Sequence, residues 1–158
     1  MKRIFIAMAC LVAVVYICGC GKSTPNIATC SGTKPALDST ALLAYAKQNG
    51  ITPTMDTSFL YYQVITPGSG AAPSPNSVVY VRYVAKFLDG SYLDSSAVST
   101  GFPLGNLILG WQYGLPKIMP GGRIKLLIPS ALAYGCGGSS NVQPNTPLFF
   151  DIYLDSLK

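Results

Sequence analysis

The chain has 158 residues, of which 49% are hydrophobic and 11% are charged. This length accommodates one domain of ordinary size with a short tail, and the apolar content excludes a chain that is disordered throughout. Its 16 glycines and 12 prolines indicate many turns, which favours a strand-rich fold over a helical bundle.

The charged residues exclude several classes of function. The formal net charge is +5 at pH 7, but Lys2 and Arg3 lie in a segment that we expect to be removed, which leaves nine basic residues against six acidic ones. These basic residues form no cluster, so we expect no nucleic-acid binding. The absence of histidine excludes histidine-based triads and most zinc sites. We therefore expect no metal and no cofactor.

The N-terminal segment has the form of a secretory signal. Its two basic residues precede an apolar run from Ile4 to Ile17, which is shorter than the roughly 20 residues that span a bilayer. The sequence that follows resembles the bacterial lipobox, in which cleavage before a cysteine is coupled to acylation of that cysteine. Cys20 is the best candidate, because Ile17 stands three positions before it and the small Gly19 one position before it. The alternatives are an uncleaved anchor or an ordinary signal peptide.

Residues 21–35 are small, polar and proline-containing, as is typical of a flexible tether. Acyl chains on Cys20 would hold the mature protein at a membrane of the cell envelope. Two cysteines remain outside the N-terminal segment, Cys30 and Cys136. In an oxidising compartment two such cysteines often pair, so we expect a disulfide between them; the alternative is two independent thiols.

The pattern of the body predicts one helix followed by several strands. An amphipathic helix is predicted over Leu37–Asn49, with Asp38 or Ser39 capping its N-terminus and Gly50 ending it. Period-2 or β-prone stretches predict four strands, with a hairpin turn at Asp89-Gly90 after the second. These strands are Phe59–Ile65, Val78–Phe87, Arg123–Ile128 and Leu148–Leu154.

Alternation along the last two strands places apolar residues on one side and polar residues on the other. This pattern indicates an antiparallel sheet with one buried face and one solvent-exposed face. Ile108, Trp111 and Leu115 have the spacing of one side of a short helix, which we expect to pack on the buried face. The predicted fold class is therefore α+β, a curved antiparallel β-sheet wrapped on one short helix and preceded by one short N-terminal helix.

Four motifs follow one another between residues 59 and 158. The first, over 81–96, consists of VRY, DG and LDSS, and the second, over 102–111, consists of FPLG and ILGW. The third, over 121–135, consists of GGR, IP and LAYG, and the fourth, over 142–151, consists of VQPN and LFFD. In this order they resemble the FKBP-type peptidyl-prolyl cis-trans isomerases, and the preceding lipobox, tether and helix resemble exported bacterial members of that family.

The resemblance implies a proline-binding pocket and a catalytic pair. Trp111 would form the floor under the proline ring. Tyr134 would offer its hydroxyl to the substrate carbonyl, and Asp94 would lie beside the twisting amide. The other implied substrate-binding residues are Tyr83, Leu93, Phe102, Leu107, Ile108, Val142 and Phe150.

Three departures from the family pattern affect the wall of this pocket. Leu93 stands where the family usually has phenylalanine, and Thr100 replaces a second aromatic residue. The loop before Trp111 is two residues shorter than in small cytosolic members. These changes remove ring surface, so the resemblance implies weakened binding of macrolide inhibitors.

The expected organisation is a lipoprotein signal peptide over 1–19, a tether over 20–36, a helix and connector over 37–58, and an FKBP-type isomerase domain over 59–158. The expected function is rotation about X–Pro bonds in proline-containing exported polypeptides, which assists their folding at the cell envelope. Two alternatives are a non-catalytic chaperone or adaptor that binds proline segments, and a structural lipoprotein. We expect a monomer that contacts the membrane through its lipid.

Overall fold

The computed structural model describes residues 34–158, which contain two α-helices and six β-strands. The helices are α1, Ser39–Gln48, and α2, Leu109–Gly114. The strands are β1, Thr54–Met55; β2, Tyr61–Thr66; β3, Val78–Phe87; β4, Tyr92–Pro103; β5, Gly122–Ile128; and β6, Leu148–Leu157. Short 3₁₀ turns cover Pro35–Asp38, Leu104–Asn106, Leu115–Lys117 and Ser130–Leu132. No helix in this part of the chain is long and apolar enough to cross a membrane.

All six strands form one antiparallel sheet in the order β1-β2-β5-β6-β3-β4. β3 is central to the half of the sheet that carries the cavity described below, because it pairs with β4 on one side and β6 on the other. Ala85 of β3 is the partner of both Asp94 and Phe150. These three residues therefore lie side by side across the sheet.

The inner face of the sheet packs against α2, which confirms the predicted short helix. Two glycines allow the close approach. A Cβ atom on Gly110 would lie 2.5 Å from Cγ2 of Ile128, and one on Gly114 would lie 2.7 Å from Cδ1 of Leu126. Trp111 and the residues of β5 that α2 covers are buried in a single hydrophobic core. The predicted α+β fold class is correct.

The outer face of the sheet is covered in part by α1, and there the prediction of a solvent-exposed face is wrong. Tyr45 of α1 packs on Phe149 with ring centroids 5.2 Å apart. Phe149, which the alternation assigned to the polar side, is only 7% exposed. Leu127 is fully buried in the same cluster. Period-2 alternation is a property of one strand and carries no information about a helix from another part of the sequence that packs on the sheet.

The boundaries of α1 differ slightly from the prediction. The helix begins at Ser39, because Pro35–Asp38 forms a 3₁₀ turn, and Gly50 follows it with a φ of 63°. The carboxylate of Asp38 does not cap α1; it accepts hydrogen bonds from the backbone N–H and the hydroxyl of Ser130. Of the two predicted caps, Asp38 occupies the N-cap position without a capping hydrogen bond from its side chain, and Ser39 is the first residue of the helix itself.

The four predicted strands are present with shifts of at most two residues at their ends, except that β6 continues three residues further, to Leu157. Gly90 has the left-handed conformation expected of a hairpin turn, with a φ of 90°. β1 and β4 were not predicted. β4 is polar and largely exposed, so its residues show no alternation. The predicted signal peptide, lipidation site and most of the tether lie outside the described residues.

Candidate functional site

A cavity of about 620 Å³ lies between α2, strands β3, β4 and β6, and the loop that follows Tyr134. All ten pocket residues implied by the sequence line it. Five further lining residues were missed, and three of them belong to one loop without sequence periodicity. The missed residues are Ala85, Asn106, Ser139, Ser140 and Asn141.

The floor of the cavity is an aromatic cluster centred on Trp111, which is 4% exposed. Its ring lies 5.3 Å from Tyr83, 6.4 Å from Phe102 and 5.5 Å from Phe150, measured between centroids. All three neighbours are nearly perpendicular to it. Edge-to-face pairs of this kind contribute about 0.5–1.5 kcal/mol each beyond the area they bury. The floor is therefore a tightly packed apolar surface.

The indole N–H of Trp111 is buried and has no hydrogen-bond partner among residues 34–158. Leaving such a donor unpaired costs about 1–3 kcal/mol. It is thus a candidate donor to a ligand that enters the cavity.

A polar pair lies at one side of the cavity. The hydroxyl of Tyr83 donates to Oδ2 of Asp94 at 2.5 Å, and the backbone N–H of Ser95 donates to Oδ1 of Asp94 at 2.8 Å. Burial, and then the hydrogen bond to Asp94 and its charge, raise the pKa of Tyr83 above its ordinary value. Tyr83 therefore remains a protonated donor at neutral pH and orients the Asp94 carboxylate.

Tyr134 stands at the rim and is 40% exposed. A compact turn holds it: the carbonyl of Ser130 accepts hydrogen bonds from Ala133 N–H at 3.0 Å and from Gly135 N–H at 2.7 Å. Gly135 has a φ of 59°, a conformation that favours glycine. The Tyr134 hydroxyl has no hydrogen-bond partner in the described part of the chain and is thus available to a carbonyl oxygen in the cavity.

The loop after Tyr134 forms the opposite wall. Ser139 N–H donates to the carbonyl of Val142 at 2.7 Å, and Asn145 N–H donates to the carbonyl of Gly135 at 2.8 Å. Val142 is 3% exposed and anchors the loop in the core. Cys136, in the same loop, is disulfide-bonded. Its expected partner Cys30 lies outside the described residues, so the pairing of these two cysteines stays a prediction.

The two substituted positions of the aromatic wall behave differently. Leu93 is partly buried and lines the cavity. Thr100 does not line it; its hydroxyl lies 2.9 Å from that of Ser96 and donates to the carbonyl of Val98 at 3.1 Å. At position 93 the wall thus offers an aliphatic group, and at position 100 no side chain reaches the cavity.

Comparison with known proteins places this site in a family. The sequence profile of the FKBP-type peptidyl-prolyl cis-trans isomerases matches residues 70–155. The FKBP-type isomerase FkpA of Escherichia coli strain K12 is 40% identical over 117 residues, which are 72% of this chain and 43% of FkpA. The isomerase Mip of Coxiella burnetii is 37% identical over 103 residues, 63% of this chain and 45% of Mip. The chain thus spans less than half the length of these two curated relatives.

Solved structures agree with the sequence relatives. The crystal structure of Escherichia coli FkpA superposes with a TM-score of 0.71 at 36% identity, covering 79% of this chain and 59% of that one. A peptidyl-prolyl cis-trans isomerase from Pseudomonas syringae pv. tomato gives a TM-score of 0.69 at 31% identity, covering 79% of this chain and 93% of that one. By its fold, its cavity and its sequence, the chain belongs to the FKBP-type peptidyl-prolyl cis-trans isomerase family.

Proposed function

We propose that the protein catalyses rotation about X–Pro bonds in exported polypeptides and so assists their folding at the cell envelope. One observation is central to the catalytic part: the cavity has an apolar floor around Trp111, and Asp94 and Tyr134 are among the polar side chains of its lining. Family membership supports the same reaction.

The reaction needs no nucleophile and no proton transfer. Amide resonance gives rotation about a peptide bond a barrier of about 18–20 kcal/mol. The planar amide is more dipolar than the twisted one, because twisting localises the nitrogen lone pair. A cavity of low dielectric constant therefore disfavours the planar state relative to the twisted state. Binding energy at the proline ring adds to this when it is larger for the twisted conformer.

The polar groups act on the two ends of the rotating bond. The Tyr134 hydroxyl donates to the substrate carbonyl and fixes one side of the amide. The Asp94 carboxylate, oriented by Tyr83, lies beside the amide as it twists. A lowering of the barrier by about 5–6 kcal/mol would accelerate exchange roughly 10⁴-fold.

Exchange measurements on X–Pro peptides test the catalytic proposal. Purified mature protein should give a measurable kcat/KM in a protease-coupled assay, greatest with an apolar residue before proline. We expect this preference because an apolar side chain before the proline adds to the apolar surface that the substrate can bury against the Trp111 floor. An uncatalysed rate at micromolar protein would contradict the proposal.

Location at the envelope is supported by the N-terminal sequence. The basic residues, the apolar run and the cysteine at position 20 together match a lipoprotein signal. Incorporation of a labelled fatty acid into the wild type, its loss in Cys20→Ser and its retention in Cys30→Ser would support this part. Labelling that persists in Cys20→Ser would contradict it.

A non-catalytic proline-binding chaperone or adaptor is the second candidate. The reduced aromatic wall at Leu93 favours it, since less ring surface faces the substrate. Tight binding of X–Pro peptides without faster exchange distinguishes this function from catalysis.

A further inference from the structure

A second cavity of about 420 Å³ adjoins the cavity around Trp111, which we call the proline pocket. Asn141 lines both cavities, so a chain that leaves the first can continue into the second. One wall is the hairpin turn between β3 and β4, and the other is the loop after Tyr134. The lining residues are Phe87, Asp89, Ser91, Asn141, Gln143 and Thr146. We call this cavity the polar groove.

The distribution of carboxylates singles out this region. All six acidic residues of the chain are aspartates within the described part. Three of them form ion pairs: Asp56 with Lys117, Asp151 with Arg123, and Asp155 with Arg82. A fourth, Asp38, accepts a hydrogen bond from Ser130. Besides Asp38, the two aspartates that form no ion pair within residues 34–158 are Asp89 and Asp94. One lines the polar groove and the other lines the proline pocket.

Asp89 is held as a fixed anion. Its Oδ1 accepts hydrogen bonds from the Ser91 hydroxyl at 2.6 Å and from the Ser91 backbone N–H at 2.8 Å. These hydrogen bonds keep the pKa of Asp89 below its ordinary value. The lysine on the same hairpin, Lys86, has its ammonium group 4.7 Å from the centre of the Tyr92 ring. Lys86 therefore forms no ion pair with Asp89, and a cationic group of a ligand could interact with the Asp89 carboxylate.

We propose that the polar groove is a subsite for the polypeptide chain beside the prolyl bond, and that it favours lysine or arginine there. This inference rests on the proposed function, since it assumes that X–Pro segments occupy the pocket. The amide side chains of Asn141 and Gln143 carry donors and acceptors, and the Ser91 hydroxyl oxygen can still accept, so these residues can hydrogen-bond to an extended backbone. The Asp89 carboxylate matches an ammonium or guanidinium group in charge.

The expected preference is modest, because Asp89 is exposed to solvent. An exposed ion pair changes a binding constant by up to about fivefold. Salt screens it, with a Debye length of about 10 Å at 0.1 M and about 3 Å at 1 M. The preference should therefore decrease as ionic strength rises.

The test is a peptide series around one X–Pro core. Lysine, glutamine or glutamate is placed in turn at each of the three positions on either side, and exchange is measured by NMR without a protease. We expect lysine to raise kcat/KM about two- to fivefold over glutamine at one position or more, and glutamate to lower it. The same peptides are titrated for binding, which reports on the groove even without turnover.

Asp89→Asn is the informative variant. The amide oxygen keeps the acceptor for Ser91, so the turn is preserved while the charge is removed. Because the new side chain precedes Gly90, intact mass is used to check for deamidation. Asp155→Asn is the matched control, since it removes the same charge from a position outside both cavities.

We expect Asp89→Asn to abolish the lysine preference and Asp155→Asn to retain it. An unchanged preference in Asp89→Asn, or an equal loss in both variants, would overturn the inference. So would equal binding of the lysine and glutamine peptides at every position. If the protein does not accelerate exchange of the glutamine peptides, the proposed catalysis is contradicted. The binding titration would still show whether the polar groove prefers lysine.

Discussion

The Asp38 carboxylate joins the start of α1 to the turn that carries Tyr134. Its Oδ2 accepts from Ser130 N–H at 2.7 Å and from the Ser130 hydroxyl at 2.6 Å. Ser130 is fully buried and is the only buried polar residue in the described part of the chain. Its carbonyl in turn holds Gly135. The N-terminal helix is therefore connected through three residues to the rim of the cavity.

Removal of this connection should destabilise the protein. Asp38→Ala leaves two buried donors of Ser130 unpaired, which should lower the free energy of unfolding by about 1–3 kcal/mol. Asp38→Asn should retain most of the stability, because a single oxygen accepts both bonds. Urea unfolding of the three proteins measures the difference. Equal loss in the two variants would show that charge, and not the acceptor, is what Ser130 requires.

Loss of the two polar groups of the pocket should reduce catalysis without preventing folding. Tyr134→Phe removes a hydroxyl that has no partner in the described structure, so stability should change little while kcat/KM falls. We expect a fall of about tenfold, the effect of one lost hydrogen bond of about 1.4 kcal/mol in the transition state.

Asp94→Val should have a larger effect, because it also leaves the Tyr83 hydroxyl without its acceptor. Tyr113→Phe is the matched control, since Tyr113 is similarly exposed and does not line the cavity. The hypothesis fails if the Tyr134 and Tyr113 variants lose activity equally.

Catalysis should depend little on pH between about 6 and 9. The chain contains no histidine, the one side chain that ordinarily titrates across this range. Tyr83 is protonated throughout, because its pKa lies above the ordinary value of 10.0. A group whose pKa is raised by folding contributes stability that is complete below about pH 10 and is lost as pH rises through the folded pKa. Profiles of kcat/KM and of unfolding free energy check both statements; a step in kcat/KM near pH 7 would contradict the first.

Much of the fold could be predicted from local sequence patterns. The covering of the outer face of the sheet could not, because it depends on contacts between residues that are distant in the sequence. The period-2 pattern of β6 and the i, i+3, i+7 spacing around Trp111 are local, so four strands of the sheet and α2 were predicted, whereas β1 and the polar β4 were not. The covering of Phe149 by Tyr45 joins residues about a hundred positions apart. No window of the sequence contains both.

The site shows the same division. The resemblance carried by the four motifs implied ten lining residues, and each of them lies within one of the motif ranges 81–96, 102–111, 121–135 and 142–151. Ser139, Ser140 and Asn141 lie in a loop whose shape is set by backbone bonds such as Ser139 to Val142. Such a loop has no periodicity, so neither these residues nor the polar groove could be predicted. The role of Asp38 was missed because its position before a helix indicates a cap, whereas Ser130 competes for its carboxylate.

Trp111 is the only tryptophan in the chain and lies on the floor of the cavity, so its fluorescence should report occupancy. Addition of an X–Pro peptide should shift or quench the emission with a saturable dependence on concentration. A macrolide inhibitor should do so only weakly, because Leu93 offers less ring surface than an aromatic residue. Peptides with alanine in place of proline are the control, and an equal response to them would show that the signal does not depend on the proline ring.

Gly110 should resist replacement by alanine, although alanine is the better helix former. Helix propensity alone predicts a gain of about 1 kcal/mol for Gly110→Ala. The added Cβ would lie 2.5 Å from Cγ2 and 2.6 Å from Cδ1 of Ile128, which is fully buried and cannot move aside. Overpacking of this kind costs about 1–3 kcal/mol, so the net change should be a loss of stability.

The double variant Gly110→Ala with Ile128→Ala tests this cause. Ile128→Ala alone should cost about 2–5 kcal/mol through the space it leaves. The added methyl group fills part of that space, so the double variant should be more stable than the sum of the two single losses predicts. Urea unfolding of the four proteins gives the coupling. Strict additivity would mean that contact with Ile128 is not the reason why position 110 requires glycine.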